Sequence, residues 1–439
     1  MNKKKSTGLI VAAVGLAVIS IFCVLTVIGI VNWIQRDGGS LQFFTNDTYK
    51  ATAYETLTID ADDLTGLEFD LDFSDIEITE STGNQITLDL VKTGWAASEE
   101  EAQETAETLT LDQSKRGSTI TFSIPRSPEG ITTFGQNRAD TIDIALSVPK
   151  DMDISILLSS GHVTATDYQG GLAVDNNFGN TTITNFQGSL SIDGSNGKIT
   201  LDSVDLTEPF SLTTDFGEIN ITDLHAPEIE IKNQNGALTL KQLYAEGDCQ
   251  LSSDFTDIEV DTIECASLTV ESNNGPIELN HGLITGPLAI TTDFGNLTIK
   301  DVTAESYDFS SRNGIIYANS LQGKVTIDAD FGNIELYGKE DVSLEVEGQN
   351  GDIFFQGKLN PESTHTITSD FGKIEVRIPA SSAFDISLAT DFGKIETDLP
   401  ITLSGTLDAS KMEGQINGGG PLLKLESQNG DIILTTLEN

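Results

Sequence analysis

The sequence has little of what catalytic or metal centres are usually built from. Its 439 residues include three cysteines, four histidines and two tryptophans. So few cysteines exclude a disulfide framework or a cysteine-rich metal cluster. The histidines, His162, His225, His281 and His365, fall in different parts of the chain with no two at metal-ligand spacing. Basic residues are also scarce: 24 Lys and Arg against 68 Asp and Glu give a formal charge of -44. Up to residue 36 the only charges are Lys3, Lys4, Lys5 and Arg36, so the remainder carries 20 minus 68, or -48. Nucleic acid is excluded as a partner, because its binding depends on clustered Lys and Arg neutralising phosphates. The apolar content of 38 % and the 40 glycines are those of a folded chain, so the acidity does not signal disorder.

Charge is missing altogether from residues 9–31. At helical rise this stretch reaches ~34 Å, enough to cross a hydrocarbon core. A cleaved signal peptide would need a shorter apolar region and a small-x-small cleavage site, and the exit reads Ile30, Val31, Asn32, Trp33. Cys23 lacks the small neighbours of a lipoprotein cleavage box and reads as a lipid-facing thiol. The sequence therefore predicts an uncleaved transmembrane helix. Lys3, Lys4 and Lys5 place residues 1–8 in the cytoplasm, Trp33 stands where an interfacial aromatic would, and everything beyond faces out. The expected location is the cell membrane, single-pass, with the bulk extracytoplasmic.

Beyond a polar linker (32–50), a repeat of about twenty residues dominates. Its marker is a triplet that alternates between two forms. One form is Asp215-Phe216-Gly217, Asp254-Phe255-Thr256, Asp293-Phe294-Gly295, Asp330-Phe331-Gly332, Asp370-Phe371-Gly372 and Asp391-Phe392-Gly393. The other ends in Asn-Gly, as in Gln234-Asn235-Gly236 and Asn273-Asn274-Gly275. Asn177-Phe178-Gly179 begins the regular series, and Asp72-Phe73-Ser74 is an outlying copy. Apolar residues sit two positions after the third residue of the triplet (Ile219, Leu238, Ile258, Ile277, Leu297) and five and seven before it. Offsets of two on both sides of a glycine turn are strand periodicity. A unit this short cannot bury a core alone, so coils must stack with like residues in vertical columns. The predicted fold is all-β: a single-stranded parallel β-helix of ~20-residue coils, right-handed by the general crossover preference, over residues 151–439.

Residues 51–150 are read as an N-terminal β region with a small α/β capping insertion. Within it, 98–109 forms a helix with a capping box from Ser98 to Glu101, and 119–125 and 140–149 form strands. A cap would cover an otherwise open strand edge.

Acids never follow acids in the column two before the glycine, until Asp370 and Asp391. Asp at every level would set like charges ~4.8 Å apart, so alternation is expected of a stack. The motif residues are thus assigned to a structural turn ladder. Calcium bridging of the ladder is the other reading, but neither the glycine-rich nonapeptide nor the EF-hand spacing is present. No cofactor is otherwise expected.

Catalytic signatures are equally thin. Gly418-Gly419-Gly420-Pro421 lacks the Lys-Ser/Thr of a phosphate loop, and no Gly-x-Ser-x-Gly occurs. Cys249 and Cys265 fall in packing columns, with an expected separation of roughly 10 Å, beyond disulfide reach. His365 falls in an apolar column and is expected on an irregular or partly exposed coil. No enzyme is expected, although parallel β-helices include polysaccharide lyases and glycosidases that use paired carboxylates on an outer face.

The alternating Asp-Phe-Gly-x-Ile and Asn-Gly-x-Ile turns carry a resemblance. So do the lead-in Leu146-Ser147-Val148-Pro149, the later Val376-Arg377-Ile378-Pro379, and the ending from Gly418 to Gln428-Asn429-Gly430-Asp431-Ile432. Together they resemble the bacterial "putative-adhesin" family of β-strand-repeat proteins of unknown function, LiaG-like, over about 140–439 and partly over 55–80. The resemblance implies a β-helical ectodomain on the bacterial envelope, sometimes linked to envelope stress, and no catalytic residues. The function expected is a membrane-anchored surface interaction or adhesin-like scaffold with an unknown envelope partner. The alternatives are an envelope-stress accessory protein acting on membrane partners and a carbohydrate-active enzyme.

Overall fold

The computed structural model describes residues 49–124, 139–404 and 410–437. The expected transmembrane helix (9–31), residues 1–8 before it and most of the expected linker lie outside them. Among the described residues no helix is long and apolar enough to cross a membrane.

The chain divides into two compact units. The smaller contains the helix α1, Glu99–Thr108, which buries Ala102 and Ala106. Ser98 caps it: its Oγ accepts from the Glu101 N–H at 3.2 Å, and acids fill the first turn, where the helix dipole favours them. Gly94 lies so near the helix that a Cβ there would sit 2.5 Å from the Ala106 nitrogen.

The larger unit is a parallel β-solenoid. Each coil has a strand leading into the triplet, the glycine turn, and a second strand that bends midway. The coil Phe210–Phe216 and Ile219–Ala226 is representative. Its leading strand pairs in parallel with Ile229–Asn235, which pairs in turn with Asp248–Phe255. The return strands stack in the same way, and Ile258, Ile277 and Leu297 lie directly over one another. Alternating β-branched and leucine side chains fill the interior, so this unit has one continuous core. The bend in the return strand is a second corner. There Asp167, Asn185, Ser203, Asp223, Asp301 and Ser320 adopt φ between 50° and 62°, a left-handed conformation that short polar side chains tolerate.

Hydrogen bonding continues around the glycine corner. The Gly161 N–H donates to the Phe178 carbonyl at 2.8 Å, Gly179 to Asn196 at 2.9 Å and Gly217 to Asn235 at 2.9 Å. The backbones approach so closely that a Cβ on Gly179 would lie 1.9 Å from the Gly161 carbonyl oxygen, and one on Gly332 would lie 1.9 Å from that of Gly314. Gly332 also has φ of 136°, which side chains rarely adopt.

The order of levels departs from the order of the sequence at both ends. Near the N-terminus, Gly66–Phe73 pairs with Thr119–Ser123 on one side and Met152–Ser160 on the other. The stack thus begins before residue 151, and Asp72-Phe73-Ser74 is an ordinary level of it. At the C-terminus, Leu422–Asn429 lies between His365–Phe371 and Phe384–Thr390. Asp370 and Asp391, neighbours in the repeat count, are therefore separated by the level of Gln428, whose Nε2 donates to Asp370 Oδ1 at 2.8 Å. The expected break in the acid alternation does not exist in space. The column of leading strands finishes at both ends in an antiparallel pair rather than an open parallel edge: Asp112–Arg116 with Thr119–Ser123, and Lys411–Ile416 with Phe384–Thr390.

Two outcomes follow for stability. Gly332→Ala forces backbones apart at a corner with no slack and should cost roughly 3 kcal/mol or more, read as a lowered urea midpoint at unchanged slope. Gln428→Asp would insert a further acid on the level between Asp370 and Asp391, so that carboxylates occupy successive levels. It should destabilise by about 1 kcal/mol at neutral pH and recover below pH ~4, when carboxylates protonate; no loss at neutral pH would contradict the interleaved order.

Candidate functional site

The glycine corner is the most distinctive surface of the solenoid. Phe73, Phe178, Phe216, Phe255, Phe294, Phe331, Phe371 and Phe392 all project there, each between 46 and 82 % exposed. Phe73 is partnered by Ser160, and from Phe178 onward the strand registers place an asparagine between successive rings: Phe178, Asn196, Phe216, Asn235, Phe255 and Asn274 are successive partners. The alternation continues through Phe294, Asn313, Phe331, Asn350, Phe371 and Asn429. Rings on alternate levels stand ~9.6 Å apart, twice the strand spacing.

Beside this row runs the carboxylate row. The side chain on the next level donates to each acid: Gln234 to Asp215 at 2.9 Å, Asn273 to Asp254 at 2.7 Å, Arg312 to Asp293 at 2.9 Å and Gln349 to Asp330 at 2.6 Å. Charge separation is thus reinforced by direct hydrogen bonds. Each bond engages one carboxylate oxygen, and the acids keep an acceptor facing solvent. The glycines of the same triplets, Gly217, Gly295, Gly332, Gly372 and Gly393, form the close-packed inner line of the corner. A Cβ on Gly393 would meet the Gly430 carbonyl oxygen at 2.1 Å.

Under the corner runs a row that periodicity did not reveal. Thr214, Asn233, Ser253, Ser272, Thr292 and Ser311 are successive register partners, all buried. The hydroxyls of Thr214, Ser253, Ser272, Thr292 and Ser311 have no hydrogen-bond partner among the described residues. Asn233 instead donates to the carbonyls of Gly217 at 3.0 Å and Gly236 at 2.6 Å. The usable signal was size: this column holds only small or short polar residues, because the turn leaves no room for more.

A second aromatic group lies on the return strands. Tyr317, Tyr337 and Phe354 follow one another with ring centroids 5.6 Å apart, and the Arg377 guanidinium lies 5.1 Å over Phe354. Hydrogen bonding by Lys373, and then by Arg377, holds the Glu375 carboxyl below its usual range.

Among the described residues nothing comparable suggests a reaction centre. A recess of about 410 Å³ is lined by Glu68 and Asp153 among threonines, serines, glycines and small apolar residues. It has neither the basic nor the aromatic partner that a glycosidase groove would place beside its acids. Among the described residues no group of three His, Cys, Asp or Glu could hold a metal ion.

Cys249 and Cys265 are both buried and free, as expected; the neighbouring Cys265 thiol, and then burial, raise the Cys249 thiol far above its ordinary value. One expectation needs correction. His365 is not on an exposed coil. It is fully buried, packs edge-on against Phe384, accepts from the Leu344 N–H at 3.3 Å and bonds the Asn360 carbonyl through Nε2 at 3.0 Å. The imidazole is satisfied where an apolar side chain was expected.

Burial lowers the His365 pKa below its ordinary value of 6.5. A second proton, on Nδ1, would also face the Leu344 N–H. The stability that the neutral ring contributes is thus present above pH 6.5 and lost as pH falls through and below it. Urea midpoints taken from neutral pH to about 5 should fall for the wild type relative to His365→Gln; parallel curves would contradict this.

A model of the family described as Toastrack DUF4097 matches residues 64–263 and 256–435. No curated relative matches the chain. Solved structures similar to it include a "putative cell adhesion protein" from Clostridium sporogenes, at 6 % identity and TM-score 0.19, covering 88 % of this chain and 100 % of that one. Another is a "putative adhesin" from Bacteroides fragilis, at 10 % identity and TM-score 0.20, covering 89 % and 99 %. A third, a "putative adhesin" from Parabacteroides merdae, has 11 % identity, TM-score 0.20 and coverage of 88 % and 97 %. At such TM-scores no conclusion rests on these likenesses.

Proposed function

The chain belongs to the Toastrack DUF4097 family, and we propose that it is a membrane-tethered, extracytoplasmic interaction scaffold whose recognition surface is the aromatic and acidic corner. The row of exposed phenylalanines carries this reading. A benzyl side chain left half in water forgoes on the order of 1 kcal/mol of burial, and asparagine forms the same turn on the intervening levels. The turn therefore does not require phenylalanine. Exposed apolar residues scattered singly need no explanation, but eight at one column position along a single corner are not scattered, and such an aligned row points to an interaction site.

The charge-free residues 9–31, preceded by Lys3, Lys4 and Lys5, support an anchor that leaves the acidic solenoid outside. Its formal charge repels an anionic lipid surface and favours a solenoid that stands off the membrane. The reading assigns no catalysis, and the motif residues act through the surface they build.

Protease added to intact cells should remove the solenoid and spare only a short membrane-bound N-terminal fragment, and alkaline extraction should leave the full chain with the membrane. Protection of the solenoid in intact cells, or release of the chain by alkali, would refute the topology.

A further inference from the structure

Resting on that reading, we propose that the phenylalanine corner binds a linear β-1,4-linked polysaccharide that is uncharged or carries amino groups. The eight rings occur at one column position and repeat every ~9.6 Å. A partner that engages several of them must be linear and nearly commensurate with that period. In a β-1,4-linked pyranose chain successive rings turn over, so every second ring presents the same face, and a pair of rings is about as long as the phenylalanine repeat. Each benzyl ring would then meet the C–H face of one sugar, and the intervening sugar would lie over an asparagine level.

Hydrogen-bond chemistry decides between this and the other common linear ligand. A polyproline II peptide turns every ~9.3 Å and would also fit the period. Its exposed polar groups, however, are carbonyl acceptors that require donors from the protein. This corner is itself rich in acceptors. Its carboxylates only accept, and Gln234, Asn273, Gln349 and Arg312 each already spend a donor on them. The Asn235 and Asn350 amides point at the backbone carbonyls of Asp215 and Asp330, each at 3.4 Å. What remains calls for a donor-rich ligand, which hydroxyls or ammonium groups supply. The excess of 68 acids over 24 basic residues disfavours a polyanionic chain. Each acid is held in place by the level above it, so little ordering is needed on binding.

The experiment titrates the full chain in detergent micelles with β-1,4-linked N-acetylglucosamine and glucosamine oligomers of increasing length, with polyproline and heparin as competing chemistries. Affinity should rise by about fivefold or more for each added pair of rings, as successive phenylalanines engage in one molecule, with little gain from an odd ring. Phe255→Asn, Phe294→Asn and Phe331→Asn combined place in this column the residue that already occupies it on alternate levels, so the stack is kept. This variant should keep its urea midpoint and lose roughly tenfold or more in affinity for the longest oligomer. No binding of either sugar series, equal binding by the triple variant, a smooth dependence on ring number, or tighter binding of polyproline or heparin would each overturn the proposal. Protease accessibility on intact cells tests the surface scaffold independently, so failure of the sugar titration with an exposed solenoid removes this inference alone.

Discussion

The structure depends on how closely one backbone can lie on the next at the glycine corner. Parallel strands stack easily, but a stack of turning coils must also bring its corners together. Here the corner amides donate from level to level, with Gly161 to Phe178 at 2.8 Å and Gly332 to Asn350 at 2.8 Å. The backbone ladder therefore runs around the bend with no orphaned donor at these positions. Contact this close leaves no room for a Cβ at the glycines. Thr256 and Ser74 stand in the same column without positive φ, but a Cβ on Gly275 would still meet the Thr256 carbonyl oxygen at 2.0 Å. The glycine repeat is the chemical trace of that contact, and the columns of isoleucine, valine and leucine follow from it.

For that reason the sequence made much of the fold legible. The residues two after the glycine are interior at Ile219, Leu238, Ile258 and Ile277, all buried, because a turn of fixed geometry transmits strand phase from one side to the other. Helix α1 was visible through its cap and its first-turn acids. Spatial order was harder to read, because a repeat count follows the chain and a stack need not. The apparent fault at Asp370 and Asp391 was the clue. Electrostatics forbids adjacent acids in the column, and the interleaving of Gln428 satisfies that rule through distant chain segments rather than through the basic residues Lys373 and Lys394 that follow.

What stayed hidden lies where polar groups occupy the interior. Periodicity classes residues as apolar or not, so it passed over Ser253, Ser272 and Thr292, which are buried because the space beneath the turn is narrow. It likewise gave His365 no buried role, although two backbone groups satisfy it there. None of these is encoded by spacing along the chain; each depends on cross-section, which only the folded coil defines.

The corner is thus constrained inside and free outside. Inward, it admits glycine and small polar side chains; outward, it tolerates either asparagine or phenylalanine without changing the turn. Alternation of the two triplet forms resolves two problems together. It separates carboxylates that would repel at ~4.8 Å, and it keeps neighbouring rings from stacking on one another and hiding their faces. Rings on every level would form a closed aromatic pile, attractive within itself and offering little to a partner. Rings on every second level stay about half exposed, and the asparagines between them provide polar contacts at half-period. The same arrangement that makes the stack electrostatically tolerable therefore converts its edge from a self-satisfied surface into an unsatisfied one.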